Sequence, residues 1–187
     1  MKSSQLRRAL CVLAFLLAGT APCFAACTVQ LSDANIDYGY LTRGELLSQQ
    51  ENALTSTELQ IGEEKTLDLL INCEHAGPLS LQFIAPARDS ESYLFGRQGK
   101  AVLRVHTAYV DNQAVDIARD MSGVDSGQKA ILSAGRQLTF WRDNVRISGT
   151  QLRAKVSVIT FLPTDQTRVK ESQSWQLQGY FQVNNSE

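Results

Sequence analysis

Apolar and polar residues alternate with a period of two along several segments, turn signals rich in Gly, Pro, Asp and Asn separate them, and no long amphipathic helical pattern occurs. These observations predict an all-β protein, an immunoglobulin-like β-sandwich of roughly seven to nine short strands. A closed barrel is the alternative. The placing of the cysteines adds one disulfide to this expectation.

The first element is an export signal over residues 1–25. Lys2, Arg7 and Arg8 make a positive start, Ala9 to Ala18 is an apolar run, and Gly19, Pro22 and small residues up to Ala25 and Ala26 follow. The run is too short to cross a bilayer, which takes roughly 20 apolar residues. A short retained helix is the plainer alternative. Losing the signal discards Cys11 and Cys23 and leaves residues 26–187 as a single domain, with Cys27 and Cys73 as its cysteines. In an oxidising compartment two thiols in one small domain generally pair. The rival reading is lipidation of Cys27, because Phe24-Ala25-Ala26-Cys27 loosely resembles a lipoprotein cleavage box. That would leave Cys73 without a partner.

Thr28 to Leu31 and Ile36 to Tyr40 are short strand candidates, and Arg43 to Gln50 is a helical turn or a loop. In Lys65 to Cys73, residues Leu67, Leu69, Ile71 and Cys73 share one face, so Cys73 points inward with the aliphatic residues. His75 to Pro78 reads as a turn. Leu79, Leu81, Phe83 and Ala85 then alternate with Ser80 and Gln82. A polar loop from Pro86 to Lys100 leads to a strand over Ala101 to Val110, and Asp111-Asn112-Gln113 turns the chain into a short strand from Ala114 to Ile117. A second loop spans Asp120 to Gln128, and Ile131 to Trp141 is broken at Ala134-Gly135. The clearest alternation is Gln151 to Phe161. After a polar connection the last strand, Ser174 to Val183, puts Trp175, Leu177, Phe181 and Val183 on one face.

Charge argues against a polyelectrolyte partner. Without Lys2, Arg7 and Arg8, 15 basic residues face 19 acidic ones, and the charges are scattered rather than in blocks. No basic patch of the kind a nucleic-acid binder carries is visible. The search for catalysis is equally empty. His75 falls in a turn and His106 on a polar strand face, with nothing in the sequence to place a nucleophile beside either. There is no nucleophile elbow, phosphate loop or zinc-binding helix motif. Glu63-Glu64 reads as a solvated turn, and Asn184-Asn185-Ser186 is a glycosylation sequon of the kind expected by chance. No metal or cofactor is expected, and the chain is expected not to be an enzyme.

Several segments resemble one family. Cys27-Thr28-Val29, then Asp37-Tyr38-Gly39 and the strand Leu67 to Cys73, look like the first half of the pilin subunits of the bacterial chaperone–usher pathway. Val145 to Thr150 running into Leu152 to Phe161, and the closing strand Trp175 to Val183, are similar to that family's second half. The resemblance implies a first-strand cysteine bonded to one at the end of the second strand, here Cys27 to Cys73. It implies an immunoglobulin-like sandwich lacking its final strand, whose hydrophobic groove takes a strand first from a periplasmic chaperone and then from a neighbouring fimbrial subunit. An outer-membrane usher is the further implied partner, and the periplasm and then the fimbrium the implied location. Thr28 to Leu31 and Trp175 to Val183 would form the groove edges, with Trp175, Leu177, Phe181 and Val183 as candidates for its apolar lining; ordinary core is the other reading of these residues. A polymerising pilin also needs roughly ten residues before its first Cys to supply a strand, and Ala26 alone precedes Cys27 here. The expectation is therefore a minor or tip subunit, involved in adhesion, that accepts a strand without donating one. A self-contained periplasmic or lipid-anchored binding module is the alternative.

Overall fold

The computed structural model describes residues 27–53, 55–168 and 172–185. The expected export signal, 1–25, and Ala26 lie outside them. In chain order the elements begin with β1 (Cys27–Leu31), α1 (Arg43–Ser48), β2 (Glu58–Gln60), β3 (Lys65–Pro78), β4 (Ser80–Ile84), β5 (Tyr93–Phe95) and β6 (Gly99–Val110). They continue with β7 (Gln113–Ala114), β8 (Asp116–Ala118), β9 (Lys129–Ile131), β10 (Leu138–Arg142), β11 (Val145–Arg146), β12 (Ser148–Pro163) and β13 (Tyr180–Asn184).

The strands form two sheets in which every pairing is antiparallel. The first runs β1-β3-β12-β6-β5, with β2 beside β12 and with β7 and β9 beside β6; the second runs β11-β10-β4-β13, with β8 beside β10. The order β1-β3-β12-β6 is that of strands A, B, E and D of an immunoglobulin sandwich, and β4 and β13 take the places of C and F. Strand G would lie outside β13. Among the described residues no strand lies there.

Alternation explains why β12 is the centre of the first sheet. Leu152, Ala154, Val156 and Val158 are buried while Arg153 and Lys155 are exposed, and ladders to both β3 and β6 satisfy its backbone. Leu69 and Ile71 of β3, Leu103 and Val105 of β6, and Leu81 and Phe140 of the second sheet meet these residues in one core. Cys27 lies opposite Cys73 in the β1–β3 register, and the two sulfurs are bonded. A sulfur held in that bridge carries no lipid.

Several local expectations give way. Ile36 to Tyr40 is not a strand, because side chains take over its backbone: Asp33 Oδ1 accepts from the Asn35 amide at 2.9 Å and Asp37 Oδ1 from the Gly39 amide at 2.7 Å. Tyr38 turns onto Gly62, where a Cβ would stand 3.0 Å from its ring. His75 to Pro78 is not a turn but the end of β3, still paired with Ser148 and Gly149. The chain reverses at Leu79, where it changes sheets. The loop expected over Pro86 to Lys100 contains β5 and the start of β6. Ala114 to Ile117 divides into β7 and β8, which belong to different sheets.

Within β6, Thr107 has φ 53° at a bulge against β12, which shifts the phase of the strand. Odd positions face the core up to Val105 and even positions from Ala108. The last strand is shorter than expected, Tyr180–Asn184 rather than Ser174 to Val183. In the chain-entropy view a bridge closing a sequence separation of 46 contributes about 4 kcal/mol. A Cys27→Ser/Cys73→Ser variant is expected to lose about that much unfolding free energy, read from the urea midpoint; an unmoved midpoint would show that the bridge adds nothing.

Candidate functional site

The site is built from two edges. Among the described residues β1 and β13 are each laddered on one side only, β1 to β3 and β13 to β4. Their other sides face each other, and their Cα atoms come within 8 Å at several points without a shared ladder. Seating a strand between two others takes about 9.6 Å, twice the ladder spacing, so an incoming strand would have to part them where they approach.

The two edges run in opposite directions. β4 reverses after Leu79, and Phe83 lies level with the start of β3: its ring is 5.0 Å from Tyr93, which pairs with Ala101, which pairs with Thr160 just beyond the Val158–Lys65 pair. β13, antiparallel to β4, therefore climbs toward the Cys73 end, whereas β1 starts at Cys27 and descends. At the upper end Asn185 donates from Nδ2 to the His75 carbonyl at 3.0 Å. Its own carbonyl fills the space where a Cβ on Gly77 would sit, so only glycine admits this crossing.

Burial marks the gap between the edges. Val29 and Leu31 of β1 and Phe181 and Val183 of β13 point inward yet are only half-buried. Ile71, Leu69 and Leu81, opposite Val29, Leu31 and Val183 in the ladders, are 0 %, 1 % and 0 % exposed. The inward residues of the two facing edges are thus more exposed than their ladder partners. Phe181 packs on Phe83 at 5.0 Å between ring centroids, and Phe83 makes an edge contact with Tyr93.

The four residues nominated from the sequence separate. Phe181 and Val183 lie on β13. Leu177 is half-buried but outside any strand. Trp175 lies over Gly96 and stacks on Phe95 of β5, at the opposite edge of the first sheet from β1, with ring centroids 6.5 Å apart. A backbone bond from the Gly96 amide to the Gln176 carbonyl, 2.8 Å, holds it there. Thr28 to Leu31 was expected as an edge, but Val29 and Leu31 were not named for the apolar lining; their alternation with Thr28 and Gln30 was the available signal.

His106 has a hydroxyl neighbour that the sequence did not place: its Nε2 lies 3.0 Å from Oγ of Ser157, the diagonal neighbour two residues along β12 from Lys155, which stands opposite His106. Ser157 is 2 % exposed and its Oγ is also 3.3 Å from Thr66 Oγ1. A surface recess of about 240 Å³ is rimmed by Thr66 but by neither His106 nor Ser157. The pair reads as a hydrogen-bonded contact between β6 and β12. Among the described residues no group of three or more His, Cys, Asp or Glu is placed to hold a metal.

No family model and no curated protein matches the chain. Among solved structures it is similar to the P pilus rod subunit PapA, with a TM-score of 0.40 and 13% identity over 89% of this chain and 96% of that one. At that level the likeness establishes neither family nor function.

Burial pushes the Tyr93 phenol up to about 12, and its hydroxyl donates to the Phe83 carbonyl at 3.3 Å. A raised folded pKa means that its stabilising contribution is complete below the ordinary value of 10 and is lost as pH climbs toward 12. Tyr38, raised chiefly by burial, adds to the same trend. Tyr93→Phe is expected to flatten the fall in unfolding free energy between pH 10 and 12, measured by denaturant titration across that range.

Proposed function

We propose that the chain is an exported, non-enzymatic fimbrial subunit that accepts a β-strand between β1 and β13. In this reading a periplasmic chaperone supplies the strand first, and another fimbrial subunit, loaded through an outer-membrane usher, replaces it. The supporting observation is that, among the described residues, two edges with a ladder on one side only coincide with half-buried Val29, Leu31, Phe181 and Val183, at the place where strand G completes an immunoglobulin sandwich. Backbone pairing along such edges supplies affinity, and alternate side chains entering the gap supply specificity. An empty gap leaves apolar side chains and backbone groups open to wrong partners.

A self-contained sandwich is the second reading. The approach of the two edges to within 8 Å favours it, since a gap already narrowed needs no occupant. The two readings diverge when the chain is exported alone. The first expects aggregation or degradation, recovery as a one-to-one complex with a cognate chaperone, and loss of that recovery in Val183→Asp. A monomer that stays soluble without a partner, with edge amides of β1 and β13 protected from hydrogen exchange, would overturn it.

A further inference from the structure

Folding collects cations that stand far apart in the sequence. On the outward face of the first sheet, the register aligns Asp68, Lys155, His106 and Lys129 in one row across β3, β12, β6 and β9. The next row on one side holds Arg153 opposite Tyr109, and the next on the other side holds Arg104 opposite Ser157 and Ile131. Neighbouring rows lie about 7 Å apart and neighbouring strands about 4.8 Å apart. Four permanent cations, Arg104, Lys129, Arg153 and Lys155, therefore share a small area with one interleaved carboxylate, Asp68. Lys129, Arg153, Lys155 and Tyr109 are exposed.

The Thr107 bulge is what makes the arrangement. Without its phase shift Tyr109 would point to the core and Ala108 outward. Arg153 is held toward Tyr109's end of the face by a hydrogen bond to Asn112 Oδ1, and Lys155 bonds Asp68 at 2.8 Å. Glu74 and Asp111 lie toward the Cys73 end. Asp111 Oδ1 already accepts from the amides of Thr150 and Gln151, at 3.1 and 2.9 Å. Charges that are scattered along the sequence are thus gathered on one face of the sheet, against the expectation that no polyelectrolyte partner is bound.

We infer that this face binds an acidic polysaccharide, with sulfate or carboxylate groups on the cations and a sugar ring over Tyr109. The chemistry of the face favours that class. Among the cations stand the neutral Ser157 and Thr107, and toward the β1 edge the same face continues in Thr66, Gln30 and Thr28, hydroxyl and amide groups that suit a chain that itself intersperses charge with hydroxyls. A bilayer would need protruding apolar groups, and Leu70 and Ile131 on this face are half-buried. A nucleic acid would need denser phosphate neutralisation than four cations in an overall acidic chain supply. The inference does not depend on the gap between β1 and β13, since these side chains are on the outward face.

Calorimetric titration of the full chain tests it, carrying whatever strand partner it needs. The probes are a heparin decasaccharide and an oligogalacturonate of similar length. At least one is expected to bind at low salt and to weaken as salt rises. Arg153→Gln/Lys155→Gln is expected to weaken binding about tenfold. Asp68→Asn, which removes the one opposing charge, is expected to tighten it severalfold, a gain that a merely structural role for Asp68 would not give. Arg136→Gln, in the loop before β10, is the control and is expected to change nothing. Binding of neither probe, or binding indifferent to the Arg153/Lys155 pair, overturns the inference. So does equal or tighter binding to phosphatidylglycerol vesicles or single-stranded DNA.

Discussion

The Cys27–Cys73 bridge is the constraint on which one whole side of the molecule depends. β1 is five residues long and, among the described residues, laddered to β3 alone, an arrangement that frays readily on its own. The covalent link fixes its first residue to a central strand, and so fixes its register against β3. Everything at the facing edges follows: Val29 and Leu31 are held inward, and Thr28 and Gln30 outward. A slip of one residue would exchange the two sets. The bridge thus orients an apolar edge that hydrogen bonds alone would hold loosely.

The long central strands were legible because their faces differ. In β12 from Leu152 to Val158 each buried aliphatic residue has an exposed or hydrogen-bonded polar neighbour, and in β3 the same pattern brings Cys73 inward. Three kinds of feature were hidden. Local side-chain chemistry overrode propensity at Asp33 and Asp37, whose carboxylates claim amides that a strand would have used. A mid-strand phase change at Thr107 left no mark in a sequence read with a fixed period. Distant packing drew Trp175 away from β13 to Phe95, ending an alternation that ran on in the sequence. One feature was present and overlooked: Thr42 and Glu45 form a reciprocal capping box that announces α1.

The candidate site was legible in part for the same reasons. Phe181 and Val183 continue a period-two pattern and reach the edge. That no strand is laddered to its other side among the described residues is a property of strand order, which no single segment carries. The cationic face is more remote still from the sequence. Its row exists only because β3, β12, β6 and β9 lie side by side in one register, and residues 68, 106, 129 and 155 share no local pattern.

The opposite directions of β1 and β13 carry a consequence for any strand laid between them. It must run parallel to one edge and antiparallel to the other, and turning it end for end merely exchanges the two. Parallel pairing is slightly weaker per residue, but the edges are equally long, five residues each. The backbone ladders therefore give the two orientations nearly the same energy. Polarity has to be decided by side chains, through the sizes of the spaces beside Val29, Leu31, Phe181 and Val183. Such a gap is indifferent to direction until it is told which residues are coming, so two partners entering with opposite polarity could both find it complete.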